Sequence, residues 1–453
     1  MTTPDPAAGG PVPARAVFRL AAPALPVLAA EPLYVLVDTA VVGRLGAVPL
    51  AGLAVAGVLF AQVTTQLTFL SYGTTARAAR LHGAGRRSDA VAEGVQASWL
   101  ALAVGVVVLV VGQLVAGPIT RVLGDGGPVA DAAASWLRVA LFGAPLVLVT
   151  LAGNGWMRGV QDTVRPMRYV LAGNGLSALL CPFLVHGWGS WQGWGLEGSA
   201  VANVIAQSVV AGLFIHALLR ERAAAPPDRP VRLRPVPALI RGQLGLGRDL
   251  VLRSLAFQAC FLSATAVAAR FGASSVAAHQ IVLQLWVFQS LVLDAVAIAA
   301  QALVGAALGA GGADRARAVA RQVARYGLVL GVGFAVLFAA VYVVLPRVFT
   351  SDPTVLAVVP VAWWFFVAMQ PVAGVVFALD GVLLGAGDAA FLRTSTLLAA
   401  VTGFLPLIWA SLAFDWGLAG IWTGLSAFML IRLIAVTLRT RSGRWAIPGA
   451  VRT

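Results

Sequence analysis

Long apolar stretches separated by short, polar, arginine-bearing segments recur along the whole chain. Trp99 to Leu114, Leu328 to Val344 and Leu397 to Phe414, taken with their flanks, are apolar for about 20 residues or more, enough for a helix to cross a hydrocarbon core of about 30 Å. The pattern predicts twelve transmembrane helices in an all-α membrane protein. In the first half these cover 16–43, 47–76, 92–117, 130–157, 167–187 and 195–219. In the second half they cover 248–269, 274–307, 318–346, 355–384, 392–414 and 417–438. The expected organisation is a tail at 1–14, a six-helix bundle at 15–220, a cytoplasmic linker at 221–242, a second six-helix bundle at 243–440 and a tail at 441–453. The linker is placed by its basic, proline-rich composition, with Pro226, Pro227, Pro230, Pro235 and Pro237.

The two bundles read as copies of one another. Arg44-Leu-Gly-Ala47 recurs as Arg270-Phe-Gly-Ala273, Gly83-Ala-Gly85 as Gly309-Ala-Gly311, and Gly159-Val-Gln-Asp162 as Gly385-Ala-Gly-Asp388. The offset is 226 each time (270 − 44, 309 − 83, 388 − 162). Trp194-Gly-Leu-Glu-Gly198 returns as Trp416-Gly-Leu-Ala-Gly420 at an offset of 222, as a short loop deletion would produce. A shared offset over several collinear matches is the signature of an internal repeat, and six spans per copy give both halves the same orientation.

Composition agrees with a lipid solvent. Of 453 residues 59% are hydrophobic and 11% charged, where a soluble domain is about one quarter charged. The net charge of +14 does not point to nucleic acid, because the chain has no Lys and its Arg residues fall mainly between apolar segments rather than on one face. One side of the predicted spans carries Arg44, Arg121, Arg138, Arg270 and Arg347. The other takes most of the rest, including Arg77, Arg80, Arg86, Arg87, Arg158, Arg253, Arg393, Arg432 and Arg439. The positive-inside rule then puts both termini in the cytoplasm and the chain in the inner membrane. No cleaved signal peptide is expected. Cys181 and Cys260 lie within apolar stretches, so neither a disulfide framework nor a metal site is implied.

Charge at membrane depth costs at least about 2.5 kcal/mol on insertion scales, so acids there are candidate functional groups. Glu31 and Asp38 lie seven residues apart on the first span and so share a face; Asp294 lies in span 8 and Asp380 in span 10. These four form the candidate proton or cation coupling set. Asp38 stands out because its repeat equivalent is Ala264, while the neighbouring Thr39 and Thr265 match; conversely Asp380 is matched by Asn154. A carboxylate in a partly dehydrated pocket can load and release a proton, whereas one needed only for scaffolding would be expected in both halves. Asn174, Ser177 and Cys181 share one face of span 5 and are expected to line a cavity with Asp38. Gln66 and Tyr72 in the polar second span, with Asn154, complete the expected substrate cavity. Pro23, Pro26 and Pro32 are expected to bend the first span.

No phosphate-binding Gly-x-x-x-x-Gly-Lys loop and no hydrolase motif is present, and the four His residues have no ligand spacing. The reading is therefore a transporter and not an enzyme, without cofactor or metal, powered by an ion gradient. Its expected partners are a small-molecule substrate and membrane lipid, with no nucleic acid, and it is expected to be a monomer.

Several motifs resemble the multidrug and toxic compound extrusion (MATE) transporters, in particular their DNA-damage-inducible F (DinF) branch. They are Glu31-Pro-Leu-Tyr-Val-Leu-Val-Asp-Thr-Ala-Val-Val-Gly-Arg44, Tyr72-Gly-Thr-Thr75, Arg158-Gly-Val-Gln-Asp162 with Pro166, Arg248-Asp-Leu-Val-Leu-Arg-Ser254 and Leu379-Asp-Gly-Val-Leu-Leu-Gly-Ala-Gly-Asp388. The resemblance spans residues 15 to 440. It implies a twelve-helix fold of two bundles and proton- or sodium-coupled export of organic, often cationic, compounds; the expected mode is antiport of a cationic or amphipathic compound with protons, in preference to sodium. It also implies that Asp38 is the proton site and Asn174 an equivalent of a family Asn. Cys181 stands where many members have an Asp, and Asp380 resembles a position tied to cation coupling in another branch. The alternative is a flippase for lipid-linked intermediates, which should carry a large cavity lined by Arg or Lys; here the charges at membrane depth read as acidic.

Overall fold

The computed structural model describes residues 13–124, 126–226 and 230–451. Twelve helical segments are long and apolar enough to span a membrane. In the first half these are α1 (Ala14–Leu45), α2 (Ala47–Gly83), α3 (Arg87–Leu123), α4 (Gly127–Gly159), α5 (Val164–His186) and α6 (Leu196–Ala223). In the second they are α7 (Pro237–Arg270), α8 (Ala273–Gly309), α9 (Ala313–Ala340), α10 (Pro353–Gly385), α11 (Ala389–Ala413) and α12 (Gly417–Arg441). No strand occurs among the described residues apart from an isolated bridge between Trp188 and Trp191.

Several spans are broken, each for a local reason. α1 divides into Ala14–Ala21 and Ala24–Val42, with Pro23 as the cap of the second piece. Pro23 lacks an N–H, and so does Pro26 one turn on, so the break falls where the backbone ladder is weakest. Pro32 is accommodated inside Ala24–Val42. In α2 the break lies between Gln66 and Phe69. There the Thr64 hydroxyl donates to the Phe60 and Ala61 carbonyls and the Thr68 hydroxyl to the Thr65 carbonyl, drawing oxygens away from the helical ladder. In α11 a wide π turn at Ala400–Phe404 precedes Leu405–Ala413, whose first turn holds Pro406; the wider turn relieves the clash of that ring with the preceding carbonyls.

The repeat is written into the packing as well as the loops. A Cβ added at Gly155 would lie 2.3 Å from the Ser71 carbonyl oxygen, and one at Gly381 2.2 Å from that of Ala297. One turn on, a Cβ at Gly159 would lie 2.9 Å from the Thr75 oxygen, and one at Gly385 2.4 Å from that of Gln301. Likewise Gly105 meets the Pro145 Cα at 2.4 Å and Gly331 the Pro371 Cα at 2.8 Å. Every residue in these second-half contacts is the first-half residue plus 226 (381 − 155, 297 − 71, 371 − 145). Small residues allow backbones to touch, which is how helices associate in lipid without a hydrophobic drive between them.

The chain forms two compact bodies, Ala22–Gly245 and Leu246 onward, the second together with the N-terminal helix Ala14–Ala21. The boundaries differ from the expected bundles at 15–220 and 243–440 in two respects. Ala14–Ala21 packs on α8, burying Val17, Leu20 and Ala21, so the N-terminal helix belongs with the second body. The expected linker, of which 227–229 lie outside the described residues, is docked rather than free. The Trp99 indole donates to the Leu233 carbonyl at 2.6 Å, while Gln96 donates to the Arg234 carbonyl at 3.0 Å and accepts from the Val236 N–H at 2.7 Å. Val231 joins the core formed by Val91, Trp156 and Phe214. The C-terminal segment after Arg441 is also held: the Trp445 side chain is fully buried, and the Gly449 N–H donates to the Leu308 carbonyl at 2.9 Å. Of the expected N-terminal tail 1–14, residues 1–12 lie outside the described residues.

Candidate functional site

In the first body, Ala24–Val42 of α1 turns a stripe of Ala30, Tyr34, Asp38 and Val42 inward, one residue per turn. Asp38 is 4% exposed. The helix packs against α5, where Ser177 and Cys181, also one turn apart, are both buried. The Cys181 thiol donates to Asp38 Oδ1 at 3.2 Å. Tyr34 lies beside Asp38, Ser177 and Asn203. Its hydroxyl and that of Ser177 are buried without hydrogen-bond partners. On α6 the Ser199 side chain sits next to Asp38 and accepts a hydrogen bond from the Trp136 indole at 2.7 Å, leaving its own O–H free to turn toward the carboxylate.

No cation forms an ion pair with Asp38 among the described residues. A buried carboxylate needs compensation, and a thiol and hydroxyls are weak donors for a full negative charge.

The other expected site residues divide. Cys181 and Ser177 come together with Asp38 or its neighbours, as the spacing on span 5 implies. Asn174, one turn before Ser177, is half-buried. Glu31 is exposed on α1 and stands outside the buried stripe. Asn154 on α4 is buried with its Oδ1 unpaired, and Gln66 on α2 is half-buried with its Oε1 unpaired. Tyr72 is half-buried on the same span. The hydrogen bond described for Asp38 goes to Cys181 and not to these residues. Asp294 is half-buried on α8. Groups of three or more potential metal ligands do not occur among the described residues.

Asp380 departs furthest from its expected place in a coupling set. Its Oδ2 accepts from the Nη2 atoms of both Arg253 on α7 and Arg432 on α12. The guanidinium carbons lie 5.4 and 4.6 Å from the Phe257 ring. With two cations already on its carboxylate, Asp380 has no electrostatic call for a third. Neither arginine is a free surface charge: the side chains of Arg253 and Arg432 are 16% and 2% exposed. The signal for Arg432 is present in the chain: it interrupts the apolar run from Phe428 to Val436. At the ends of the spans, Glu93, 1% exposed, receives Arg77 and Gln243, and Asp388 receives Arg439 at 2.8 Å. These acids fasten helices.

Twelve spans in two repeated halves, with a buried carboxylate that has no ion-pair partner among the described residues, define the chain as a multi-pass membrane protein. The MatE family model matches residues 23–183 and again 250–409, once in each half, and the chain belongs to this family of multidrug and toxic compound efflux transporters. Protein DETOXIFICATION 44, chloroplastic, of Arabidopsis thaliana is 33% identical over 445 residues, 95% of this chain and 83% of the relative. DNA damage-inducible protein F of Escherichia coli is 29% identical over 95% of this chain and 94% of its own length. Among solved structures, a crystal structure of MATE in the bent conformation shares the fold with a TM-score of 0.85 at 20% identity, covering 96% of this chain and 95% of the other.

Proposed function

We propose that this protein exports organic compounds, cationic or amphipathic in character, by antiport against protons, and that Asp38 is the residue that carries the proton. The observation behind this reading is the environment of Asp38: buried, touched by a thiol and hydroxyls, and without a cationic partner. Asp38 takes a proton from the outer side and gives it up to the cytoplasm. A cationic substrate and a proton neutralise the same carboxylate, so binding one expels the other, which is the requirement for exchange. The second half cannot duplicate the device, because the equivalent position is the fully buried Ala264.

The same reading places the chain in the inner membrane with both termini cytoplasmic, from the distribution of Arg between the two sides. Exchange of one proton for one monovalent cation moves no net charge, so each pH unit supplies about 1.4 kcal/mol, and a membrane potential of 100 mV adds about 2.3 kcal/mol only when the substrate is neutral. The test is accumulation of a fluorescent organic cation in inverted vesicles under an imposed pH gradient. Asp38→Asn is expected to abolish gradient-driven uptake while leaving folded protein in the membrane. Unchanged coupled uptake in this variant would remove Asp38 from the mechanism, and uptake driven by sodium alone would replace the proton.

A further inference from the structure

We propose that Arg253 and Arg432 form a binding site for a monovalent organic carboxylate inside the second body. The cluster they make with Asp380 carries two positive charges and one negative, and all three groups are largely buried, with side-chain exposures of 16% for Arg253, 2% for Arg432 and 8% for Asp380. Both guanidiniums spend an Nη2 on the same carboxylate oxygen, and Arg432 Nη1 is turned to the Met429 sulfur at 3.8 Å. The Nε of Arg253 and the Nε of Arg432 are buried with no hydrogen-bond partner. Unpaired, buried, charged donors are costly, and a guanidinium edge matches the two oxygens of a carboxylate.

The surroundings narrow the class of ligand. Phe257 lies against both guanidiniums and Phe428 lies 5.7 Å from Arg432, giving an apolar, aromatic wall for the body of an organic acid. Asp380 Oδ1 is also buried and unpaired, so it repels a second negative charge. The surplus of one positive charge in the cluster then suits a monoanion. Arg253 is the most exposed of the three. In the first body the corresponding positions are Val27, Asn154 and Val210 (253 − 226, 380 − 226, 432 − 222), so the site has no copy there. It is independent of the Asp38 pocket, and its test reads binding rather than coupled transport.

The experiment is equilibrium titration of the purified full chain with benzoate, followed by the rise in thermal stability, with phthalate and chloride as separate arms. Saturable stabilisation by benzoate, weaker for phthalate and for chloride, is expected. Arg253→Gln leaves Arg432 and Asp380 as a neutral pair, so the protein folds, and benzoate affinity should fall about tenfold or more. Asp380→Asn removes the competing carboxylate and should raise that affinity by a similar factor. Equal benzoate affinity in the wild type and Arg253→Gln overturns the site, and tighter binding of chloride than of benzoate overturns the organic class. An increase on Asp294→Asn as large as that on Asp380→Asn would mean that Asp294 already supplies the balancing charge, and also overturns the proposal.

Discussion

The glycine contacts duplicated between the halves make a quantitative prediction about stability. Replacing Gly381 by Ala puts a methyl group 2.2 Å from the Ala297 carbonyl oxygen, against a normal carbon–oxygen approach of about 3.3 Å, so α8 and α10 must separate by about 1 Å. The obstruction is backbone, which cannot rotate away as a side chain can. Overpacking of this kind costs about 1–3 kcal/mol. Gly155→Ala, at 2.3 Å from the Ser71 oxygen, should cost the same because the contact is the same. Gly333 and Gly175 have nothing within 4 Å of an added Cβ, and Ala there should be neutral or slightly stabilising through higher helix propensity. The assay is thermal unfolding of the detergent-solubilised protein by size-exclusion chromatography after heating. A loss of about 2–6 °C is expected for each buried substitution, using about 2 °C per kcal/mol for a large chain. Wild-type melting of Gly381→Ala, or equal shifts at Gly381 and Gly333, would refute the claim that backbone contact sets the helix spacing.

Two further predictions concern polar fastenings. Gln96→Ala removes both hydrogen bonds that hold the backbone at Arg234 and Val236, a loss of about 1–3 kcal/mol; limited proteolysis should then cut faster between residues 230 and 236 while the spans stay intact. Arg432→Met leaves Asp380 paired with Arg253 inside the second body and should destabilise it by about 1.5–3 kcal/mol, the usual cost of losing a hydrogen bond to a charged group. Adding Asp380→Asn to that variant leaves Arg253 buried without a counter-charge and should deepen the loss, measured as a further fall in the unfolding midpoint.

The scaffold was legible because its signals are local and repeated. Twelve apolar runs follow from the solvent, and the 226-residue offset follows from matched loops; both reappear as helices and as glycine contacts. Asp38 was legible as an acid in an apolar span, and Cys181 as its neighbour by helical spacing within α5. What escaped was long-range. Arg432 and Arg253 read only as charges near the ends of their spans, because their partner Asp380 is 52 and 127 residues away. The docking of the supposed linker depends on Gln96, 138 residues before Arg234. Nothing in the composition of 14–21 announces that it packs on α8. The break in α2 was hidden because a polar span does not by itself show hydroxyls competing for backbone oxygens.

The paired glycines also bear on how the helices can move. Gly155 and Gly159, like Gly381 and Gly385, are four residues apart, so each pair presents two notches separated by one helical turn. Sliding one helix along the other by part of a turn would carry each notch off the carbonyl that fills it and set that carbonyl against the helix surface between the two glycines. The next register that fits a notch to its partner lies a full turn away, about 5.4 Å. Small, continuous axial displacement at these crossings is therefore blocked, and the contacts act as detents: each helix pair travels as a single piece, leaving motion within a bundle to the places where the helices are already interrupted.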